Sequence, residues 1–252
     1  MDKYKSFLNL RFLKRLSLMI VFEHKNIIPI GCSCINQFQI QYYFADLDPE
    51  KKLPVSIFDW NIVTPDSTIK FLKMLRDKEI KSVMCDINNY QVTKAGLLRN
   101  TVFEAFYFWH EKTEGLLSND DNKFDIFQSK VCHLIDNFYH THQRSSVDLL
   151  WTNIQSNLKQ TANLINLPWE RFFLTKDRYS KMSSLGADLF GSNTRVTFVV
   201  RIEDLEEPGM AKLPNVHVLN SSQPVFREGD SEMSDYAGTP NLFAPVFDKL
   251  VP

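Results

Sequence analysis

Residues 27–44 read IIPIGCSCINQFQIQYYF. The first five, IIPIG, combine β-branched residues with a closing glycine, the pattern of a buried strand ending in a turn, and residues 34–44 continue as a helix. Two cysteines, Cys32 and Cys34, stand where one element gives way to the other. A thiol at that junction can be a packed hydrophobe, half of a disulfide, a metal ligand or a nucleophile, so the rest of the chain has to discriminate.

A chain of 252 residues with 44% hydrophobic residues has enough apolar surface for a full core, and the expectation is one domain spanning 1–252. Acidic and basic side chains nearly cancel, 30 against 29. No global field draws such a chain to nucleic acid or to an anionic membrane, so its partners are recognised locally.

Four cysteines (Cys32, Cys34, Cys85, Cys132) in a chain this long do not form the dense framework of a small secreted scaffold, and a reduced, cytoplasmic setting is expected. Cys32 and Cys34 are too close along an ordinary backbone to bridge, and neither paired CxxC motifs nor regular Cys/His spacing marks a zinc site. Residues 1–25 join a basic start to the short apolar run LSLMIVF, followed at once by Glu23, His24 and Lys25. That run falls far below the roughly 20 apolar residues of a membrane span and has no small-residue cleavage site, so an amphipathic helix or first strand is expected there.

Farther along, KLPVSIFDWNIVTPDS is loop-like, with Phe58, Asp59 and Trp60 set in a polar surround. Thr64, Pro65 and Asp66 supply helix-start chemistry for STIKFLKMLRDKEI. SVMCDI (82–87) reads as a short strand, and TVFEAFYFWHE (101–111) as a longer aromatic one with His110 at its end. FDIFQSKVCHLIDNFYHTH is a long helix, VDLLWTN (147–153) a buried strand, and IQSNLKQTANLI the helix after it. Pro168 opens a further helix in PWERFFLTKDRYSKM, TRVTFVVRI (194–202) and VHVLN are strands, residues 220–238 a surface loop, and a closing helix lies near 240–249. Helices and strands alternate without an internal repeat, so the class is α/β, with α+β the alternative: a central mixed sheet flanked by helices.

A thiol at the first turn of a helix feels unpaired N–H groups and the positive end of the macrodipole, which favour thiolate. Cys34 lies nearer that helix start than Cys32. A nucleophilic cysteine also needs a base brought close in space, commonly histidine. Of the six histidines, His110 differs in closing an aromatic strand; His133, His140 and His142 fall on or after a helix at spacings that match no metal pattern, and no metal or cofactor is expected. GxxxxGK[ST], GxGxxG and GxSxG are all absent. Asp59, between two aromatics, requires a hydrogen-bond partner, and Asn153, at the end of VDLLWTN, either delivers an amide into a cleft or caps the next helix.

Taken in order, these blocks resemble a bacterial family of papain-like cysteine peptidases whose biochemical function is largely unassigned. The resemblance runs over most of residues 27–249. It rests on Ile30-Gly31-Cys32-Ser33-Cys34 at a strand-to-helix junction, on Phe58-Asp59-Trp60, on Asp86, Tyr90 and His110, and on YAGTPNLFAPVF (236–247). His110 is followed by Glu111 and Lys112 where the family has Asp and Phe. What the resemblance implies is Cys34 as nucleophile, His110 as its base, and a polar residue orienting the histidine, for which Asp59, Asp86 and Asn153 are the candidates. A shift of register would exchange Cys34 and Cys32. The implied activity is thiol hydrolysis of a peptide, amide or acyl substrate. The alternatives are acyl transfer to a sugar or amine acceptor in surface-polysaccharide metabolism, and a binding protein that has lost activity. Nothing in the sequence fixes the oligomeric state.

Overall fold

The computed structural model describes residues 26–45, 55–118, 122–141, 147–155, 158–219 and 242–250. The amphipathic segment expected at 1–25 and the surface loop expected at 220–238 lie outside them.

The opening stretch forms strand β1 (Asn26–Pro29) and helix α1 (Ile35–Ala45), as its composition dictates. After them come β2 (Asn61–Val63), α2 (Pro65–Arg76), α3 (Ile80–Met84), β3 (Tyr90–Val92), β4 (Leu98–Asn100), β5 (Phe106–Phe108) and α4 (Lys123–Thr141). The second half contributes β6 (Val147–Thr152), α5 (Leu158–Leu164), α6 (Lys176–Phe190), β7 (Arg195–Val200), β8 (Val216–Val218) and α7 (Ala244–Leu250).

Two separate sheets replace the single mixed sheet expected. One is wholly parallel, in the order β1-β6-β7-β8; the other is wholly antiparallel, in the order β2-β5-β4-β3. A parallel sheet must be covered on both faces, and successive side chains along its strands alternate accordingly. Ile28, Leu149, Trp151, Phe198 and Val200 face the larger core, whereas Ile27, Leu150 and Val199 pack with Ile40 and Phe44 of α1, Phe247 of α7 and Phe243 just before it. The larger core is continuous with the antiparallel sheet, taking in Ile62, Leu98, Phe106 and Phe108.

The two sheets meet at the cysteine-bearing turn. The Cys32 N–H donates to the Thr152 carbonyl at 3.1 Å, and the Cys32 carbonyl accepts from the Val63 N–H at 3.1 Å. One residue thereby ties β6 to β2. Its neighbour Gly31 has φ +119°, and a Cβ there would stand 2.9 Å from Thr68 Oγ1, so the turn admits only glycine.

Local signals hold where capping chemistry is explicit. Thr64 caps α2 by accepting from the Ser67 N–H, with Pro65 in the first turn. They fail at SVMCDI, expected as a strand. Ile80 and Met84, four residues apart and both fully buried, put residues 82–84 into α3, because spacing on one helical face outweighs the β-branched content, and Ile87 then opens a 3-10 turn. Pro168 likewise opens only a 3-10 turn, Trp169–Phe172, and α6 begins later, behind the Thr175 cap. β5 is shorter than expected, which leaves His110 two residues beyond it. Cys85 and Cys132, read from the sequence as reduced thiols, are joined as a disulfide, while Cys32 and Cys34 are free. Among the described residues, no helix is long and apolar enough to cross a membrane.

Candidate functional site

Cys34 directly precedes α1, and its carbonyl accepts the first helical hydrogen bond, from the Phe38 N–H at 3.2 Å. It occupies the N-cap position, beside backbone N–H groups that no helical carbonyl serves. The preceding turn is held from several sides: Thr68 Oγ1 donates to the Ile30 carbonyl at 3.0 Å, Ser56 Oγ to the Pro29 carbonyl at 3.0 Å, and the Asn36 amide to the Gly31 carbonyl. A thiol on so constrained a turn is a fixed point.

Cys34 and His110 line one pocket. They come from different sheets, the cysteine from the end of the parallel strand β1 and the histidine from the turn after the antiparallel strand β5. Trp60, Trp109 and Ile62 form apolar walls, and Gln155 and Thr161 close the side beyond β6. The pocket is small and partly open to solvent.

Phe58, Asp59 and Trp60 divide their tasks. Phe58 is fully buried among Phe71, Phe106 and Phe138. Asp59 closes the turn by accepting from the Ser56 N–H at 2.7 Å. Trp60, 41% exposed, meets the His110 ring edge to face at 5.7 Å and the Phe38 ring at 5.4 Å. The tryptophan is therefore what positions His110 from the apolar side.

The electrostatics oppose the thiolate expected at a helix start. Cys34 is only 6% exposed, and burial pushes its thiol up to about 12, against a smaller lowering by a backbone hydrogen bond. Desolvation wins over the helix end. Sγ donates to Gln155 Oε1 at 3.5 Å, as a protonated thiol does. Cys32 is fully buried, and its thiol too is pushed up, by burial and then by the charge of Asp204. His110 moves the other way: burial first, then the Lys130 ammonium, hold it below its ordinary value of 6.5, with Glu111 opposing. Lys130 and Glu111 are themselves ion-paired. At neutral pH the pocket thus holds a thiol and an uncharged imidazole.

None of the three residues considered for orienting His110 does so through a hydrogen bond among the described residues. Asp59 is engaged at its own turn, and burial raises its carboxyl to about 8, with the Ser56 N–H opposing. Asp86 caps the short turn before β3 by accepting from the Asn88 N–H at 3.0 Å, and Tyr90 bonds the Met84 carbonyl at 2.6 Å. Asn153 is buried and donates to the Phe172 carbonyl at 2.9 Å, so it neither enters the pocket nor caps α5. His133 pairs with Asn137, and His140 with the Asp136 carbonyl; His142 lies outside the described residues. Among the described residues, no group of three His, Cys, Asp or Glu side chains could hold a metal ion.

Sequence reasoning did not find Gln155, Trp109, Ile62 or Thr161. A usable signal existed for Gln155. It lies just past the carboxyl end of a strand in a parallel sheet, where ligand sites of such sheets concentrate.

Compared with protein-family models, curated proteins and solved structures, the chain has no significant match.

Proposed function

We propose that the protein is a cysteine-dependent hydrolase of the papain-like kind, a peptidase or amidase, in which Cys34 is the nucleophile and His110 its base. The observation that carries this reading is the convergence of Cys34 and His110, 76 positions apart in the chain, on one pocket. The resemblance at the Gly31–Cys34 turn and at Phe58-Asp59-Trp60 supports the same assignment.

The resting pair is neutral, so proton transfer accompanies attack. As Sγ bonds to the substrate carbonyl carbon, His110 takes the thiol proton. The oxyanion faces the N–H groups at the start of α1, and the imidazolium then protonates the leaving group. Water, activated by His110, releases the acid and restores the thiol. The same acyl-enzyme would serve an acyltransferase if a sugar or amine replaced water.

A binding role without turnover is the second reading. It is favoured by the buried, protonated thiol and by the lack of a hydrogen-bonded orienting group on His110 among the described residues. Intact-mass detection of acyl-enzyme formed from an activated aryl ester separates the two. The hydrolase reading expects one adduct on Cys34, lost in Cys34→Ala, kept in Cys32→Ala and slowed by about 100-fold or more in His110→Ala. Labelling that persists in Cys34→Ala, or that ignores His110, overturns it.

A further inference from the structure

A strip of aromatic rings runs outward from the proposed base. The His110 ring meets Trp60 at 5.7 Å and Trp60 meets Phe38 at 5.4 Å, both edge to face, and Phe38 stands 6.5 Å from Tyr42, one helical turn farther along α1, with the two planes 25° apart. Trp60 is 41% exposed and is the only exposed Phe, Tyr or Trp among the described residues, while Phe38 and Tyr42 are half-buried. α1 carries no charged side chain. The strip is therefore open, apolar and neutral, and an indole left in water forfeits burial energy that a bound apolar group would recover.

The strip is also fixed relative to both reacting groups. Asp59 closes the turn that carries Trp60 by accepting from the Ser56 N–H at 2.7 Å. The Phe38 N–H donates to the carbonyl of Cys34 itself at 3.2 Å. Which half of the substrate meets these rings follows from proton transfer. The leaving nitrogen must come within hydrogen-bond reach of His110 to receive its proton, so the group it carries lies beside His110, where Trp60 stands.

We propose that Trp60, Phe38 and Tyr42 bind the leaving half of the substrate, and that this half is an amine bearing an aromatic ring, as in an amide with an aromatic residue on its nitrogen side. This deepens the thiol-hydrolase reading and rests on it. In cleavage the Cys34 S–H and acyl C–N bonds break while the S–C and N–H bonds form, the proton passing through His110; water then cleaves the thioester to the acid and returns the thiol. In the reverse sense, an amine seated on the strip attacks the acyl-enzyme: the S–acyl bond and one N–H bond break, and the amide C–N and Cys34 S–H bonds form. An aromatic ring is favoured over an aliphatic chain because edge-to-face contacts add to the gain from burial alone.

The test acylates the full chain with p-nitrophenyl acetate and lets water compete with phenylalaninamide, leucinamide or glycinamide for the acyl group, the N-acetyl amides being measured against acetate with Cys34→Ala as background. This partition is a ratio within one intermediate, so a change in the alignment of His110, which serves water and amine alike, cancels. Phenylalaninamide is expected to capture the acyl group about tenfold better than glycinamide, with leucinamide between them. The preference should fall to about threefold or less in Trp60→Ala, be largely kept in Trp60→Phe, and weaken in Tyr42→Ala. Phenylalaninamide captured no better than glycinamide, or a preference unchanged in Trp60→Ala and Tyr42→Ala, overturns the role of the strip and leaves thiol catalysis standing. Failure of the ester to acylate Cys34 overturns both.

Discussion

The thiol of Cys34 faces the amide oxygen of Gln155 at 3.5 Å, across the seam between the end of β1 and the chain leaving β6. That contact, with the burial that raises the thiol to about 12, defines the resting state as S–H.

Alkylation of Cys34 by iodoacetamide in His110→Ala, where no base assists, is accordingly expected to be slower at pH 7–8 than that of a free cysteine, whose value is about 8.5, and still to be climbing above pH 9. Site-resolved mass spectrometry across pH 6–10 measures it. A plateau reached below pH 8 would place a thiolate in the pocket and refute the neutral pair.

Lys130 contributes to holding His110 below its ordinary value, and Glu111 opposes it. Removing the ammonium while keeping most of the side-chain bulk, in Lys130→Met, should raise the His110 value, and Glu111→Gln should lower it. Proton NMR titration of the imidazole reads both directly. Equal values in both variants and wild type would mean that burial alone sets the shift.

Asp59 gives the fold a pH dependence of known sign. Its carboxyl is raised from 3.8 to about 8 in the folded state, so between those values the folded protein holds a proton that the unfolded chain has released. Stability is then lost as pH rises from about 4 toward 8. Asp59→Asn keeps an oxygen for the Ser56 N–H and removes the titration. It should raise the melting temperature more at pH 8 than at pH 5, and an equal shift at both would contradict the assignment.

Gly31→Ala places a Cβ 2.9 Å from Thr68 Oγ1 on a residue with φ +119°. The expected cost is about 1–3 kcal/mol from backbone strain, with the close contact in addition. Thermal melts should show a fall of several degrees. An unchanged melting temperature would mean the turn relaxes freely, which the Cys32 bonds to Thr152 and Val63 argue against.

The parts of this architecture legible in the sequence were those governed by local chemistry. IIPIG and the residues after it announced β1 and α1, and Thr64-Pro65-Asp66 announced α2, because strand composition and capping act within a few residues. The apolar, β-rich composition of VDLLWT and RVTFVV likewise marked β6 and β7. The division into two sheets was not legible. It depends on Cys32 bonding both Thr152 and Val63, a pairing between positions 120 and 31 residues away. SVMCDI misled because Ile80, the residue that completes its helical face with Met84, lies outside the hexapeptide. At the site, Cys34 and His110 were both singled out from their elements, and the structure brings them to one pocket. Gln155 was not, since a glutamine in a polar loop carries no periodic signal. The helix-start argument for a thiolate overlooked burial, a property of the assembled walls Trp60, Trp109 and Ile62.

The central claim is that Cys34 and His110 act as a neutral nucleophile and base, and the pH dependence of Cys34 acylation by p-nitrophenyl acetate tests it most directly, in wild type and in His110→Ala. The account predicts that the wild-type rate rises through the His110 value below 6.5, then stays level to pH 9, and that His110→Ala is slower throughout the level range. Rates that climb tenfold per pH unit across pH 7–9 alike in both proteins would show a free thiolate reacting without the histidine, and would contradict it.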